Sequence, residues 1–259
     1  YQEHDNDRRT FLESGAALDG FIRDVAATVD AVAARRHATR RVNLSLDEWN
    51  VWYTSNLEQG DHGIREAPRL IEDDYSALDA VVVGDLLIAM MNNADRVKIG
   101  AQAQLVNVIA PIRTEPGGAA WRLATFYPFA RAATQAGATV LDARVVSTSQ
   151  TPGDRAAVDD VAFACTAKTP ETGGTELTFF FTNRAAAPAR VTVEVQGYSG
   201  LEVTGATVMT ADSYGGRPSA DEALDVAPRA FDAYSATASG LDVLLEPESW
   251  TVCTARSAV

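Results

Sequence analysis

The feature that most constrains this chain is a pattern that occurs twice in its first 107 residues: an apolar-faced helix, a short strand, then a polar mouth. Residues 7–37 place Phe11, Leu18, Phe21, Ile22, Val25, Val29 and Val32 at the spacing of one helical face. Arg35, Arg36 and His37 at its end suit the negative pole of the helix dipole. Val42, Leu44 and Leu46 then alternate in a predicted strand over residues 41–47, which breaks into Asp47-Glu48-Trp49-Asn50-Val51-Trp52-Tyr53 and a polar loop at 54–66. The pattern returns with a helix predicted over 76–93 on Leu78, Val81, Val82, Leu86, Met90 and Met91. A strand at 96–100 follows it and opens into Gln102, Gln104 and Asn107. A third helical stretch, 127–135, follows the turn Pro116-Gly117-Gly118. Strands that alternate with helices indicate parallel β/α units.

After Gly137 the pattern changes. Short β-branched and aromatic runs occupy 143–148, 161–166, 176–182, 190–195, 201–209, 241–245 and 250–254, separated by turn residues at 170–174, 197–200 and 215–218. That spacing predicts an antiparallel β-sandwich. The expected organisation is therefore a β/α part at 1–137 and a β-sandwich at 138–259. Two strand–helix repeats cannot close a barrel, which takes eight strands, so an upstream segment is expected to complete the first part. The opening Tyr1-Gln2-Glu3-His4-Asp5, with neither an initiator Met nor a signal-peptide pattern, accords with that expectation.

Composition excludes several function classes. A net charge of −13 leaves no basic surface for nucleic acid or anionic membrane, and no apolar run approaches the roughly 18 residues a bilayer span requires. Cys165 and Cys253 are too few for a disulfide framework and read as free thiols of a cytoplasmic protein. There is no phosphate loop and no dinucleotide fingerprint, and His4, His37 and His62 lack metal-ligand spacing, so neither cofactor nor metal is expected. Gly117-Gly118 and Gly173-Gly174 read as turns.

The chemistry concentrates at Glu48. A carboxylate at a strand mouth walled by indoles suits sugar chemistry, because aromatic faces pack on sugar C–H groups while the acid acts on the bond. From position alone, Glu48 could equally be a solvated loop acid. Asp47, one residue away, points to the opposite side of an extended strand and reads as structural, bonded to backbone or to an Arg. Trp49 and Trp52 are both candidates for packing or for substrate contact. Gln102 and Gln104 share a strand face, and the residues do not choose between them; Asn50 reads as a loop brace.

The stretches Leu44-Ser45-Leu46-Asp47-Glu48-Trp49-Asn50-Val51-Trp52-Tyr53, Arg65-Glu66-Ala67-Pro68-Arg69-Leu70-Ile71-Glu72-Asp73, Ala94-Asp95-Arg96-Val97-Lys98 and Ala103-Gln104-Leu105-Val106-Asn107-Val108-Ile109-Ala110-Pro111-Ile112 carry a resemblance. In order and spacing the chain resembles the carboxyl-terminal part of the α-L-arabinofuranosidases of glycoside hydrolase family fifty-one. The resemblance implies the last part of a (β/α)8 TIM barrel, about strands seven and eight, followed by a jelly-roll β-sandwich. It implies a retaining mechanism on terminal α-L-arabinofuranosyl groups of arabinan or arabinoxylan, with Glu48 as nucleophile and Trp52 and Gln104 contacting the sugar. A further sugar-binding Tyr, at the end of the sixth strand, falls on Tyr1 or its neighbour. The family's acid/base Glu follows an Asn, and this chain contains no Asn-Glu dipeptide, so that residue is expected upstream and the chain alone is expected to be inactive. Homo-oligomers, often hexamers, are a further implication. A rival reading is a noncatalytic carbohydrate-binding or structural β-sandwich; against it, the predicted strands carry no row of Trp or Tyr to serve as a platform.

Overall fold

The computed structural model describes residues 4–54, 63–64, 66, 68–151, 156–170, 173–211 and 226–257. Four sequence expectations lie wholly or partly outside them: Tyr1, residues 55–62 and 65 of the polar loop, residues 171–172 of the turn at 170–174, and the turn at 215–218.

The first helical pattern is two helices, α1 (Arg8–Leu12) and α2 (Ser14–Arg35), not one. The break falls at Glu13, which has φ −85° and ψ 1° and whose carboxylate is held by Arg9 Nε at 2.6 Å. Its cause lies far away in sequence. The first turn of a helix has N–H groups with no intrahelical partner, and Gly15 N–H donates to the Asp85 carboxylate at 3.1 Å. A Cβ at position 15 would collide with that carboxylate, so the approach requires glycine. The heptad-like pattern runs across the break because it reports faces, not partners.

β1 (Leu44–Trp49) leads to α3 (Ala77–Asn92), whose start is fixed by Asp79: its carboxylate accepts from Ser76 N–H at 2.6 Å and the Ser76 hydroxyl at 2.8 Å. The expected apolar stripe on α3 is wider than a stripe. Ala77, Ala80, Val81, Val82, Val83, Leu87 and Ile88 are all buried, as in a helix covered on every side. β2 (Val97–Gln102) then pairs parallel to β1, with Leu44 opposite Val97, Leu46 opposite Gly100 and Trp49 opposite Gln102. A small hairpin not expected from the sequence, β3 (Ile112–Thr114) with β4 (Ala120–Arg122), precedes α4 (Phe126–Ala133).

The remainder is antiparallel. β5 (Thr139–Leu141) is followed by a two-stranded piece, β6 (Ser149–Gln150) with β7 (Val158–Asp159). Then come β8 (Val161–Lys168), β9 (Thr175–Asn183), β10 (Ala189–Glu194), β11 (Glu202–Thr210), β12 (Arg229–Ala230), β13 (Tyr234–Ala236), β14 (Gly240–Leu245) and β15 (Ser249–Ser257). A six-stranded sheet has the order β12-β11-β15-β9-β8-β5, and a three-stranded one β10-β14-β13. The run expected at 143–148 joins no ladder: Val146 is 87% exposed, and a β-prone sequence pairs only where a pleated surface receives it.

The six-stranded sheet is covered on both faces at its centre, which explains why β9 is buried without a break from Leu177 to Asn183. Phe179, Phe181, Leu177 and Cys253 face Val193, Leu241, Val243 and Leu245 of the smaller sheet. Phe180, Ala164, Val252 and Trp250 face the other way, into a cluster with Val81, Val83, Leu87 and Ile88 of α3. Strands covered on both sides lose the apolar/polar alternation. The contact is close at Gly84, where any Cβ would collide with the Trp250 indole. A buried ion pair spans the same junction: Arg184 Nε and Nη2 reach Asp85 at 3.0 and 2.8 Å, both residues being buried.

Cys165 and Cys253 are free, as expected, and the fold buries both. Each sits opposite Phe179, on the two strands that flank β9. Two strand spacings separate them by about 10 Å, beyond the reach of a disulfide. Burial pushes both thiols up to about 12.

Fold class is thus mixed, with helices and a parallel strand pair in the amino-terminal part and antiparallel sheets in the carboxyl-terminal part. Not every apolar face is covered. Val42 is 54% exposed, Ile99 58% and Phe21 59%.

Candidate active site

The carboxyl ends of β1 and β2 lie side by side. Their pairing ends at Trp49 opposite Gln102, and Ala103 N–H donates to Trp49 O at 3.0 Å. Glu48 and Gln104 are exposed at these two ends, and Trp52 is partly buried three residues beyond β1. Of the sequence-derived candidates, Glu48 and Gln104 therefore come out at one end of the strand pair. Tyr1 lies outside the described residues.

The neighbours of Glu48 separate into roles. Asp47 is exposed and accepts from the Ser45 hydroxyl, two residues back on the same strand face, where a backbone or Arg partner was expected. Trp49 packs against the α3 cluster and sits 6.1 Å from the Phe129 ring, so it is a packing residue. Gln102 turns its amide inward, donating to Asn50 Oδ1 at 3.2 Å, whereas Gln104 faces out.

The segment after Glu48 is tied down residue by residue. Asn50 Nδ2 donates to Ala103 O at 2.7 Å and to Ile109 O at 2.6 Å, while its Oδ1 accepts from Val51 N–H at 2.9 Å. Tyr75 OH donates to Val51 O at 2.9 Å. Tyr53 N–H donates to Asp73 at 3.1 Å, and Tyr53 OH to Asp79 at 2.6 Å. Burial, reinforced by Asp79, raises the Tyr53 hydroxyl above the ordinary phenol range. Burial likewise raises the Asp79 carboxyl, opposed by its bonds from Tyr53 and Ser76. Arg113 clamps the next turn of chain, reaching Glu72 O at 2.8 Å, Asp73 O at 2.9 Å and Asp74 at 3.1 Å. Asp73, Tyr75, Asp79 and Arg113 escaped the sequence reading. Their only local signal is an acidic run, Glu72-Asp73-Asp74, set directly before a helix start, where acids are expected anyway.

The loop that carries Gln104 is held as firmly. Ile109 has φ 41°, a left-handed conformation that a β-branched residue rarely adopts. Its N–H donates to Ile71 O at 2.7 Å, and its carbonyl accepts from both Asn50 and Gln104 N–H, the latter at 3.1 Å. Asn107 accepts Thr114 N–H at 2.7 Å and so ties the loop to the hairpin. Among the described residues, no group of three or more His, Cys, Asp or Glu side chains could hold a metal ion, and no helix is long and apolar enough to cross a membrane.

An exposed acid and an exposed amide at adjoining parallel strand ends, on β/α units fused to an antiparallel β part, define the class of architecture. Within it, residues 47–249 match the family model described as the alpha-L-arabinofuranosidase C-terminal domain, and the chain belongs to that family, of glycoside hydrolase family 51. An intracellular exo-alpha-(1→5)-L-arabinofuranosidase of Streptomyces lividans is 39% identical over 253 residues, covering 96% of this chain and 38% of the relative. An exo-alpha-(1→6)-L-arabinofuranosidase of Bifidobacterium longum is 55% identical over 146 residues, covering 54% of this chain and 28% of the relative. Among solved structures, a family 51 alpha-L-arabinofuranosidase from Bifidobacterium longum aligns with TM-score 0.85 at 30% identity, covering 95% of this chain and 48% of that one. The chain thus spans half or less of the length of these relatives.

Proposed function

We propose that this chain is the carboxyl-terminal part of a retaining α-L-arabinofuranosidase that releases terminal α-L-arabinofuranosyl groups from arabinan or arabinoxylan. In this reading residues 1–137 supply about the seventh and eighth strands of a (β/α)8 barrel, and 138–259 form the jelly-roll domain. An upstream segment of the same protein completes the barrel over the exposed Val42, Ile99 and Phe21. The observation that carries the reading is the placement of Glu48: exposed at the carboxyl end of a parallel strand, beside the Gln104 strand end, within the segment matched by the family. Active sites of β/α barrels lie at that end of the strands.

In a retaining glycosidase two carboxyls lie roughly 5 to 5.5 Å apart across the glycosidic bond. Glu48, ionised, attacks the anomeric carbon as the partner carboxylic acid protonates the leaving oxygen, giving a glycosyl ester on Glu48. The partner then takes a proton from water, which attacks the same carbon and frees Glu48. The partner is a Glu upstream of this chain. Trp52 and Gln104 contact the sugar, with Tyr1 or its neighbour a third contact. The named relatives differ in linkage, so the terminal arabinofuranosyl group is the level at which substrate is proposed. Homo-oligomerisation, as a hexamer, and a cytoplasmic location complete the proposal; the Streptomyces relative is named intracellular. Against a carbohydrate-binding module, no Trp or Tyr among the described residues is exposed.

The test is Glu48→Ala in the intact enzyme. Turnover of an aryl α-L-arabinofuranoside should fall on the order of 10³-fold or more, because the covalent route is closed. Added azide should restore aglycone release, since azide attacks the anomeric carbon from the vacated side and the aryloxide departs, leaving an arabinosyl azide of inverted configuration. Wild-type turnover by Glu48→Ala would overturn the assignment.

A further inference from the structure

We propose that Asn50 is a positioning residue that sets Gln104 at the site mouth, acting through the backbone on either side of it. The inference rests on the reading above, in which Gln104 contacts the sugar.

Both acceptor carbonyls of the Asn50 amide bear on Gln104. Ala103 O, at 2.7 Å, belongs to the peptide that enters Gln104. Ile109 O, at 2.6 Å, is the group that also receives Gln104 N–H, at 3.1 Å. The far end of the loop is strained at Ile109, where a left-handed β-branched residue persists only where its surroundings over-determine it. Asn50 supplies one of those restraints, and Ile71 O another. The remaining polar atom, Oδ1, is taken by Val51 N–H and the Gln102 amide. Asn50 therefore spends its polar atoms on protein and reaches the reaction only through what it holds. It also joins the segment just after Glu48 to the loop of Gln104, and so fixes the spacing between the two strand ends.

Asn50→Ala removes both donors and leaves two carbonyls without them; Asn50→Asp keeps the shape and Oδ1 but turns an acceptor toward those carbonyls. The experiment is a cycle on kcat/KM for an aryl α-L-arabinofuranoside in the intact enzyme, with wild type, Asn50→Ala, Gln104→Ala and the double variant, and thermal melting to confirm folding. Each single change should lower kcat/KM by roughly tenfold or more, and the double variant should lie within about threefold of the worse single one, because coupled residues fail to add. A purely structural role predicts that the two factors multiply, and that result overturns the inference, as does wild-type kcat/KM in Asn50→Ala. If Asn50→Ala does not fold, Asn50→Asp takes its place in the cycle with the same expectation. If neither folds, Asn50 is a folding residue and the proposal fails. Gln104→Ala at wild-type kcat/KM alongside an inactive Glu48→Ala sinks this inference and spares the nucleophile. An active Glu48→Ala sinks the functional reading itself.

Discussion

Replacing Arg184 by Met tests how the two parts of the chain are joined. The Asp85 carboxylate has no exposed surface, and Arg184 supplies two of its donors, at 3.0 and 2.8 Å; Gly15 N–H supplies another, at 3.1 Å. Arg184→Met keeps most of the side-chain volume and removes the only charge opposite the acid in that set. Breaking one side of a buried pair costs about 3–5 kcal/mol, which in a protein of this size corresponds to a melting temperature lower by about 6–20 °C. The surviving Gly15 N–H donor places the expected value in the lower half of that range. Burial already pushes the Asp85 carboxyl above the ordinary range, and Arg184 pulls it back; without Arg184 it rises further. An acid whose folded pKa exceeds its unfolded one binds more protons when folded. Its destabilising effect is therefore absent below the unfolded pKa, about 3.9, and grows as pH rises toward the folded value. Thermal melts of both proteins between pH 4.5 and 8 should accordingly diverge with rising pH. Adding Asp85→Leu should restore most of the loss, because an apolar pair of similar volume removes the stranded charge. A melting temperature within about 2 °C of wild type at pH 7, or a difference that does not change with pH, would refute the assignment of this energy to charge burial.

Two further outcomes probe the packing on either face of the six-stranded sheet. Gly84→Ala should lower stability even though alanine is the better helix former by about 1 kcal/mol. The added methyl meets the fully buried Trp250 indole, and overpacking costs about 1–3 kcal/mol; denaturant unfolding and near-ultraviolet circular dichroism of the tryptophan band would report it, and an unchanged midpoint would count against it. Cys165 and Cys253 should resist iodoacetamide at pH 8 in the native protein and react on unfolding, since burial holds both thiols at about 12. Rapid native labelling of either would contradict the burial.

The legible parts of the site were those that local pattern determines. The alternation Val42, Leu44, Leu46 marked the strand, which runs from Leu44 to Trp49 where 41–47 was expected, so Glu48 is its exposed penultimate residue. That Gln102 turns inward while Gln104, two residues on, stays exposed was not legible, because the inward partner is Asn50, which lies more than fifty positions away. Asn50 itself read as a brace, but what it braces depends on Ala103 and Ile109. Asp73, Tyr75, Asp79 and Arg113 carried no usable signal, since each acts on a partner whose nearness is a product of folding.

The sequence by itself determined the succession of strands and helices, with helices and a parallel strand pair first and antiparallel sheets after them. Periodicity and turn chemistry are short-range properties and are written in neighbouring residues. Tertiary structure decided where α1 and α2 part, which β-prone run stays outside a ladder, and that β9 is covered on both faces. It also decided that Arg184 meets an acid ninety-nine positions earlier. Those outcomes depend on which surfaces come to face each other. A side chain's spacing states that it has a face to bury, and only the assembled fold supplies what covers it.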